Sequence, residues 1–324
     1  MDLVTLNDIR DAAERIRDAV VRTPLLPCPW ADPGRPLWAK PESLQPIGAF
    51  KLRGAHNAIA RLDERTRRRG VVAYSSGNHA QAVAYSARHF GVPAHIVMPD
   101  VTPQVKIDRT RECGAEVVLV PIAERESAAD ELVADRGAVL VPPFDHQDVI
   151  AGQGTAGLEI IADLPDVDVV LIPVSGGGLA SGIGTAIKAL SPDVQVIGVE
   201  PELAADTRDG LAAGARVDWP VERRSRTIAD GLRSQPSELT FAHLSRVLDG
   251  VVTVGEREIR SAMAALASRA RLVAEPSGAV ALAAYLDHAG ELPAGRTAAV
   301  ISGGNVDPTL MVEMLTEHAA PARG

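Results

Sequence analysis

Lysine is scarce in this chain. Lys40, Lys51, Lys106 and Lys188 are the only four, although lysine and arginine together number 33. Arginine stays protonated, whereas a desolvated lysine can shed its proton, attack a carbonyl and form a Schiff base. Lys51 stands in Gln45-Pro-Ile-Gly-Ala-Phe-Lys51-Leu-Arg-Gly, flanked by Gly48 and Phe50. The ordinary alternative is a surface lysine, the reading kept for Lys106 and Lys188 in their polar helical patterns. A second feature is Ser175-Gly176-Gly177-Gly178-Leu179-Ala-Ser-Gly182, which follows the apolar run Val169–Val174 and opens a helical pattern. Consecutive glycines let the backbone approach an anion, and a helix N-terminus presents free N–H groups to it. A tight strand-to-helix turn would need fewer glycines, so the run reads as a phosphate cradle. It lacks the Gly-Lys-Ser/Thr ending of a nucleotide P-loop. Gly152-Gln-Gly154-Thr-Ala-Gly157 matches GxGxxG literally, but a polar segment, Phe144-Asp-His-Gln-Asp, precedes it, and the next strand ends at Pro173-Val-Ser. A dinucleotide site needs a strand before the motif and an acidic residue after the next one.

The elements that must position these residues alternate. Apolar runs predict strands over Val71–Ser75, Ala94–Met98, Glu116–Val120, Val169–Val174, Val194–Val199 and Thr297–Ile301. Helical patterns lie between them, including His79–His89, Gln104–Cys113 and Leu179–Leu190. Thr5 reads as the N-cap of a first helix reaching about Val20. Uninterrupted Val/Ile/Leu runs alternating with helices predict an α/β fold whose parallel sheet is covered on both faces. The Pro-Pro pair at 142–143 and the basic run Arg65–Arg69 mark two seams. They divide the chain into a large domain, 1–68 and 146–324, and a small domain, 69–145, inserted within it.

With 324 residues, 46% of them hydrophobic, the chain can bury a substantial core, built from aliphatic side chains because aromatics are 3%. A net charge of −9 without a basic block argues against nucleic acid or an anionic membrane surface as partner. Cys28 and Cys113 show neither CxxC nor zinc-ligand spacing, no apolar run approaches the ~20 residues of a membrane span, and the charged N-terminus is unlike a signal peptide. A cytoplasmic location is the expectation. No GxSxG or HExxH occurs, which leaves hydrolase readings without a foothold.

Glu42-Ser-Leu-Gln-Pro-Ile-Gly-Ala-Phe-Lys51-Leu-Arg-Gly-Ala resembles the cofactor-lysine segment of the serine/threonine dehydratases, pyridoxal-phosphate enzymes on the two-domain, parallel-sheet fold of the tryptophan synthase β-like enzymes (fold type II). Ser75-Ser-Gly-Asn78-His79 resembles the loop that meets the cofactor's ring hydroxyl and the substrate carboxylate. Ser175–Leu179 resembles the phosphate loop, and Ser302-Gly-Gly-Asn the segment whose serine faces the pyridine nitrogen. Four motifs in the family's order cover almost the whole chain. The resemblance implies Lys51 and Ser76 as catalytic residues. It implies Phe50, Lys51, Asn78, Ser175, Gly176, Gly177, Gly178, Leu179, Gly231, Glu275 and Ser302 at the cofactor, and Ser75, Ser76, His79, Arg125 and Ser234 at the substrate, with His79 contributing backbone geometry. Glu200-Pro-Glu-Leu-Ala204-Ala-Asp206 is similar in spacing to the divalent-cation site of serine racemase-like enzymes, where a Glu, a backbone carbonyl and an Asp hold Mg²⁺, Ca²⁺ or Mn²⁺. A solvated acidic loop remains the alternative there. Ile47, Ala49 and Ser175 depart from the family's usual threonine, serine and glycine, and none removes a group the chemistry requires.

The implied activity is dehydration and deamination of a small β-hydroxy amino acid, L-threonine or L-serine, to a 2-oxo acid and ammonia, with Lys51 as base. A neutral hydroxyl at the pyridine nitrogen, unlike an aspartate, leaves β-elimination competitive. Ser76 makes serine racemase-like activity the runner-up, alongside threo-3-hydroxyaspartate dehydration; a non-catalytic cofactor-binding protein is the alternative from another class. The resemblance also implies a homodimer. The end of the chain soon after Ser302 leaves no room for the regulatory domain of biosynthetic threonine dehydratases, so feedback inhibition by isoleucine is not expected.

Overall fold

The computed structural model describes residues 2–319. Its ten strands are β1 (Leu26–Pro27), β2 (Leu37–Pro41), β3 (Val71–Tyr74), β4 (Ala94–Pro99), β5 (Glu116–Val120), β6 (Val139–Leu140), β7 (Val169–Pro173), β8 (Gln195–Pro201), β9 (Gly250–Val254) and β10 (Thr297–Ile301). They form a six-stranded sheet in the order β1-β2-β10-β7-β8-β9 and a four-stranded sheet in the order β5-β4-β3-β6. Every pairing is parallel except β1 with β2. The fold is thus α/β with parallel sheets, as the alternating pattern predicts.

Both faces of the large sheet are covered, which is why its strands read as unbroken aliphatic runs. Side chains alternate along a strand, so Val169 and Leu171 pack with Ile259, Ala262 and Ala279 to Ala284, whereas Val170 and Ile172 pack with Ala156, Ile160, Leu179 and Ile183. In parallel sheets, ligands collect beyond the carboxyl ends of the strands. Ile301 pairs with Pro41, Pro173 with Val199, and Pro201 with Val254. The segments that follow β2, β7, β8 and β10 therefore leave one common edge. They are the Glu42–Phe50, Val174–Gly177, Glu202–Ala205 and Ser302–Asn305 loops.

All six predicted strands are present, with ends shifted by at most two residues. The first helix, Leu6–Ile16, is shorter than expected, and its N-cap Thr5 forms the reciprocal capping box with Asp8. The GxGxxG stretch lies inside the helix Gln147–Asp163, not at a strand-to-helix turn. Its glycines serve helix crossing. A Cβ on Gly152 would lie 2.5 Å from the Arg53 carbonyl, and one on Gly154 2.8 Å from the Gly182 carbonyl. That close approach brings the helices Lys51–Arg61 and Gly178–Leu190 against Gln147–Asp163. The helix Lys51–Arg61 also shares a core with the small sheet: Leu52, Ala55 and Ile59 pack with Val71, Ala73, Val83 and Ile96. That core also takes in Ile47 and Ala49, from the loop ahead of the helix. Among the described residues no helix is long and apolar enough to cross a membrane.

Candidate active site

Lys51 opens its helix, and two loops pair to hold it there. The Phe50 N–H donates to the Ser302 carbonyl (3.0 Å), the Gly304 N–H to the Gly48 carbonyl (2.8 Å), and Asn305 Nδ2 to the Ile47 carbonyl (2.8 Å). Ala49 and Gly303 complete this short antiparallel bridge. The Lys51 amine donates to the Pro143 carbonyl at 2.6 Å and lies 5.1 Å from the centre of the Phe50 ring. Burial lowers its pKa to about 8. About a tenth of the amine is therefore unprotonated and nucleophilic at pH 7, far more than for a lysine of ordinary pKa.

Pro143 links the lysine to the glycine loop. Its neighbour Phe144 lies so close beneath Gly176 and Gly178 that a Cβ on either would overlap it. Gly177 has φ +88°, a left-handed conformation that a side chain would strain, and caps the helix Gly178–Leu190 without any side-chain hydrogen bond. The first N–H groups of that helix thus have no capping side chain, and the glycines leave the backbone bare. This cradle, beside a lowered-pKa lysine, fits an aldehyde-bearing phosphate. Ser175 Oγ donates to the Ser234 carbonyl (2.9 Å) and accepts the Ser234 N–H (3.0 Å), which draws a predicted substrate residue to the predicted phosphate loop.

On the side of the small sheet, Asn78 opens the helix Asn78–Phe90. Its amide donates to Glu275 (2.6 Å), and its carbonyl oxygen accepts from Asn305 (2.7 Å). Burial, with Asp230 adding to it, lifts the Glu275 pKa to about 7. Ser302 is buried and donates to the Ser277 carbonyl at 3.3 Å, while Ser277 Oγ accepts the Gly231 N–H at 2.9 Å. Lys51, Asn78, Glu275, Gly231 and Ser302 thus belong to one connected set of contacts. Asn305 joins three of its parts and was not singled out in the sequence; its place in Ser302-Gly-Gly-Asn was the available signal.

Ser75 accepts the Gly77 N–H (3.2 Å), and nothing lies within 4 Å of where a Cβ on Gly77 would sit, so the Ser75–Gly77 turn has an open face. The His79 side chain is buried and bonded to the Val141 carbonyl at 2.7 Å; burial and the Lys51 charge lower its pKa to about 3. Its ring is thus a neutral strut, consistent with a backbone role. Arg125 stands apart from this set. It opens the helix Arg125–Arg136, half exposed, 6.0 Å above the Tyr74 ring and 3.6 Å from Glu126.

Glu200 and Asp206 are both buried at the carboxyl end of β8. Burial and mutual repulsion raise the Glu200 pKa to about 8, and burial raises that of Asp206 to about 7. Glu200 accepts the N–H groups of Thr207 (3.0 Å) and Arg208 (2.9 Å), but Asp206 Oδ2 is buried without a partner. An unsatisfied hard acceptor beside a second carboxylate fits a divalent cation. Among the described residues no three His, Cys, Asp or Glu side chains gather for a metal, so the remaining ligands would be backbone carbonyls such as that of Ala204, and water.

Comparison with known proteins bears on this geometry. The family model described as pyridoxal-phosphate dependent enzyme matches residues 16–303. L-threonine ammonia-lyase of Thermotoga maritima is 44% identical over 97% of this chain and 79% of that protein. L-threo-3-hydroxyaspartate ammonia-lyase of Saccharomyces cerevisiae is 39% identical over 95% of each. The structure of maize serine racemase superposes with a TM-score of 0.92 at 36% identity, over 98% of both chains. Family match, identity and fold agree along nearly the full length: the chain belongs to the pyridoxal-phosphate dependent enzymes, in the group that holds these ammonia-lyases and serine racemases.

Proposed function

We propose that the enzyme removes water and ammonia from a small β-hydroxy amino acid of the L-threonine or L-serine type, releasing a 2-oxo acid. The observation that carries this reading is the backbone pairing of the loop that carries Lys51, an easily deprotonated amine, with the loop that carries Ser302, a buried neutral hydroxyl. When bound, pyridoxal phosphate withdraws electrons from the substrate's α-carbon and makes its proton acidic. The glycine loop, Ser175 to Leu179, would hold the phosphate; Asn78 and Glu275 would border the ring, Gly231 would meet it from the Ser277 side, and Phe50 would wall it. The Lys51 amine would anchor the cofactor and, as the free amine, would take the substrate's α-proton. Ser302 offers no carboxylate to stabilise a charged ring nitrogen, so expulsion of the β-hydroxyl as water competes well. Ser75, Ser76 and the His79 backbone at the open turn, with Ser234 and Arg125, would receive the substrate carboxylate. The Glu200, Ala204 and Asp206 set would take Mg²⁺, Ca²⁺ or Mn²⁺.

The two sheets support reading residues 69–145 as a small domain inserted in a larger one, 1–68 and 146–324, with the cleft between them as the substrate entrance. A homodimer is the expected assembly. The test is 2-oxo acid release from L-serine, L-threonine, D-serine and the 3-hydroxyaspartate isomers, with and without Mg²⁺. Release from L-threonine or L-serine establishes the reading. No release from any of them by the folded, cofactor-loaded protein would end it. Racemization is the second reading, favoured by Ser76 at the open face of the Ser75–Gly77 turn, where it could return a proton. Ser76→Ala should then abolish D-serine formation from L-serine while elimination continues.

A further inference from the structure

We propose that a buried ionic network centred on Arg53 is the clamp that fixes where the Lys51 amine sits, making Arg53 a positioning residue. The inference rests on the proposed function only in taking Lys51 as the reacting lysine. Arg53 and Lys40 are among the largest fully buried side chains of the chain. The Arg53 guanidinium donates to both oxygens of Glu42 (2.7 and 2.8 Å) and to both of Glu159 (2.7 and 2.8 Å), and to Thr155 Oγ1 at 2.9 Å. Lys40 pairs with Glu159 and donates to the Thr23 carbonyl, while Thr23 (2.7 Å) and Gln45 (3.1 Å) donate to Glu42. Two cations and one carboxylate are thus buried together, with the second carboxylate, Glu159, partly exposed at the edge. Such a network rarely stabilises a fold more than apolar residues of the same volume would. What a guanidinium fork adds is direction.

The direction falls on Lys51. Glu42 and Arg53 are the two ends of the segment that carries it, and their two-pronged bond closes that segment into a loop. The middle of the loop is sewn to Ser302–Asn305 by the three hydrogen bonds from Phe50, Gly304 and Asn305. Glu159 ties the closed loop to the helix Gln147–Asp163, which follows the Pro143 carbonyl that Lys51 touches. A slip of about 1 Å in a reacting group can cost about a hundredfold in rate.

The test compares Glu42→Gln with Glu159→Gln. Each removes one carboxylate from the same guanidinium, but only the first opens the lysine loop. Competitive acetylation of the cofactor-free protein across pH, read by peptide mass, follows each of the four lysines, with Lys106 as internal reference. Loosening the loop admits water to Lys51, so in Glu42→Gln its labelling midpoint should rise from about 8 by about one unit. Loss of a negative charge alone acts the other way, so Glu159→Gln should leave the midpoint unchanged or lower. Turnover by Glu42→Gln should fall about a hundredfold with KM little changed. A midpoint unchanged or lowered in Glu42→Gln, or raised equally in both variants, would overturn the clamp. If Glu42→Gln fails to fold by circular dichroism, Arg53→Lys, which keeps the charge and loses the fork, should show the same rise. The wild type gives a check needing no variant: amides of Ser43–Lys51 should exchange with deuterium as slowly as those of β10, and fast exchange there would also overturn it. Because the labelling needs no cofactor, it decides the clamp even if no 2-oxo acid is ever released.

Discussion

A lysine that loses its proton near pH 8 captures an aldehyde at a rate that reports its titration. Only the free amine reacts, so cofactor uptake by the apo-protein should rise about tenfold per pH unit below 8 and level off above it. Stopped-flow absorbance of the bound cofactor measures this, and a profile still rising steeply at pH 10 would show that the amine is not buried. Lys51→Arg should retain the fold and lose covalent capture altogether, because guanidinium stays protonated. Asn305 makes a second residue-scale case. It donates to both Asn78 and the Ile47 carbonyl, and its removal leaves two partly buried acceptors unserved. Asn305→Ala should weaken cofactor binding by about tenfold or more, roughly 1–3 kcal/mol per unsatisfied group being at stake. Titration of the apo-protein with cofactor tests this, and unchanged affinity would remove Asn305 from the site.

The elements show why some of this was legible in the sequence and some was not. β3, β4, β5, β7, β8 and β10 are apolar runs with local turn signals on either side. β2, Leu-Trp-Ala-Lys-Pro, does not look like a central strand; its existence depends on pairing with β10, some 260 residues later, and its lysine is buried only because Glu159 meets it. β9 opens with a glycine at the sheet edge, and β6 has two residues. The lysine loop, Asn78, the glycine run and Ser302 each announce themselves by local motif. The Arg53 network cannot, because its partners lie 11 and 106 residues away and nothing local marks Glu159 as a partner of Arg53. The GxGxxG stretch shows the converse, a motif whose glycines answer to helix packing. Gly182→Ala would push a methyl to 2.5 Å from the Gly154 nitrogen at that crossing. Overpacking of this kind should destabilise the protein by about 1–3 kcal/mol or more, read by denaturant unfolding. Gly77→Ala, facing open space, should leave stability nearly unchanged.

At the scale of the whole molecule, the common carboxyl edge of the large sheet carries the lysine loop, the glycine loop and, at the end of β8, a pair of acids. Glu200 and Asp206 admit two explanations that differ in what they ask of a cation. As a cap, Glu200 needs only the Thr207 and Arg208 N–H groups it already accepts. As a cation site, the pair uses the free Asp206 oxygen as well, and the folded chain then binds metal that the unfolded chain does not. Mass action makes the second case visible in stability: a cation at a hundred times its dissociation constant adds about 2.7 kcal/mol to the folded state. Melting in a chelator at pH 9, where both acids are largely ionised, should therefore occur at a lower temperature than in millimolar Mg²⁺ or Ca²⁺. Asp206→Asn should melt at one temperature in either condition, since it keeps the Glu200 cap and removes the second carboxylate. If the wild-type protein melts identically with chelator and with metal, the pair is a helix cap and its raised pKa values are the cost of burial alone. If it does not, the cation belongs to the sheet edge that also carries Lys51 and the glycine loop, and metal occupancy should scale 2-oxo acid release in proportion to the gain in melting temperature.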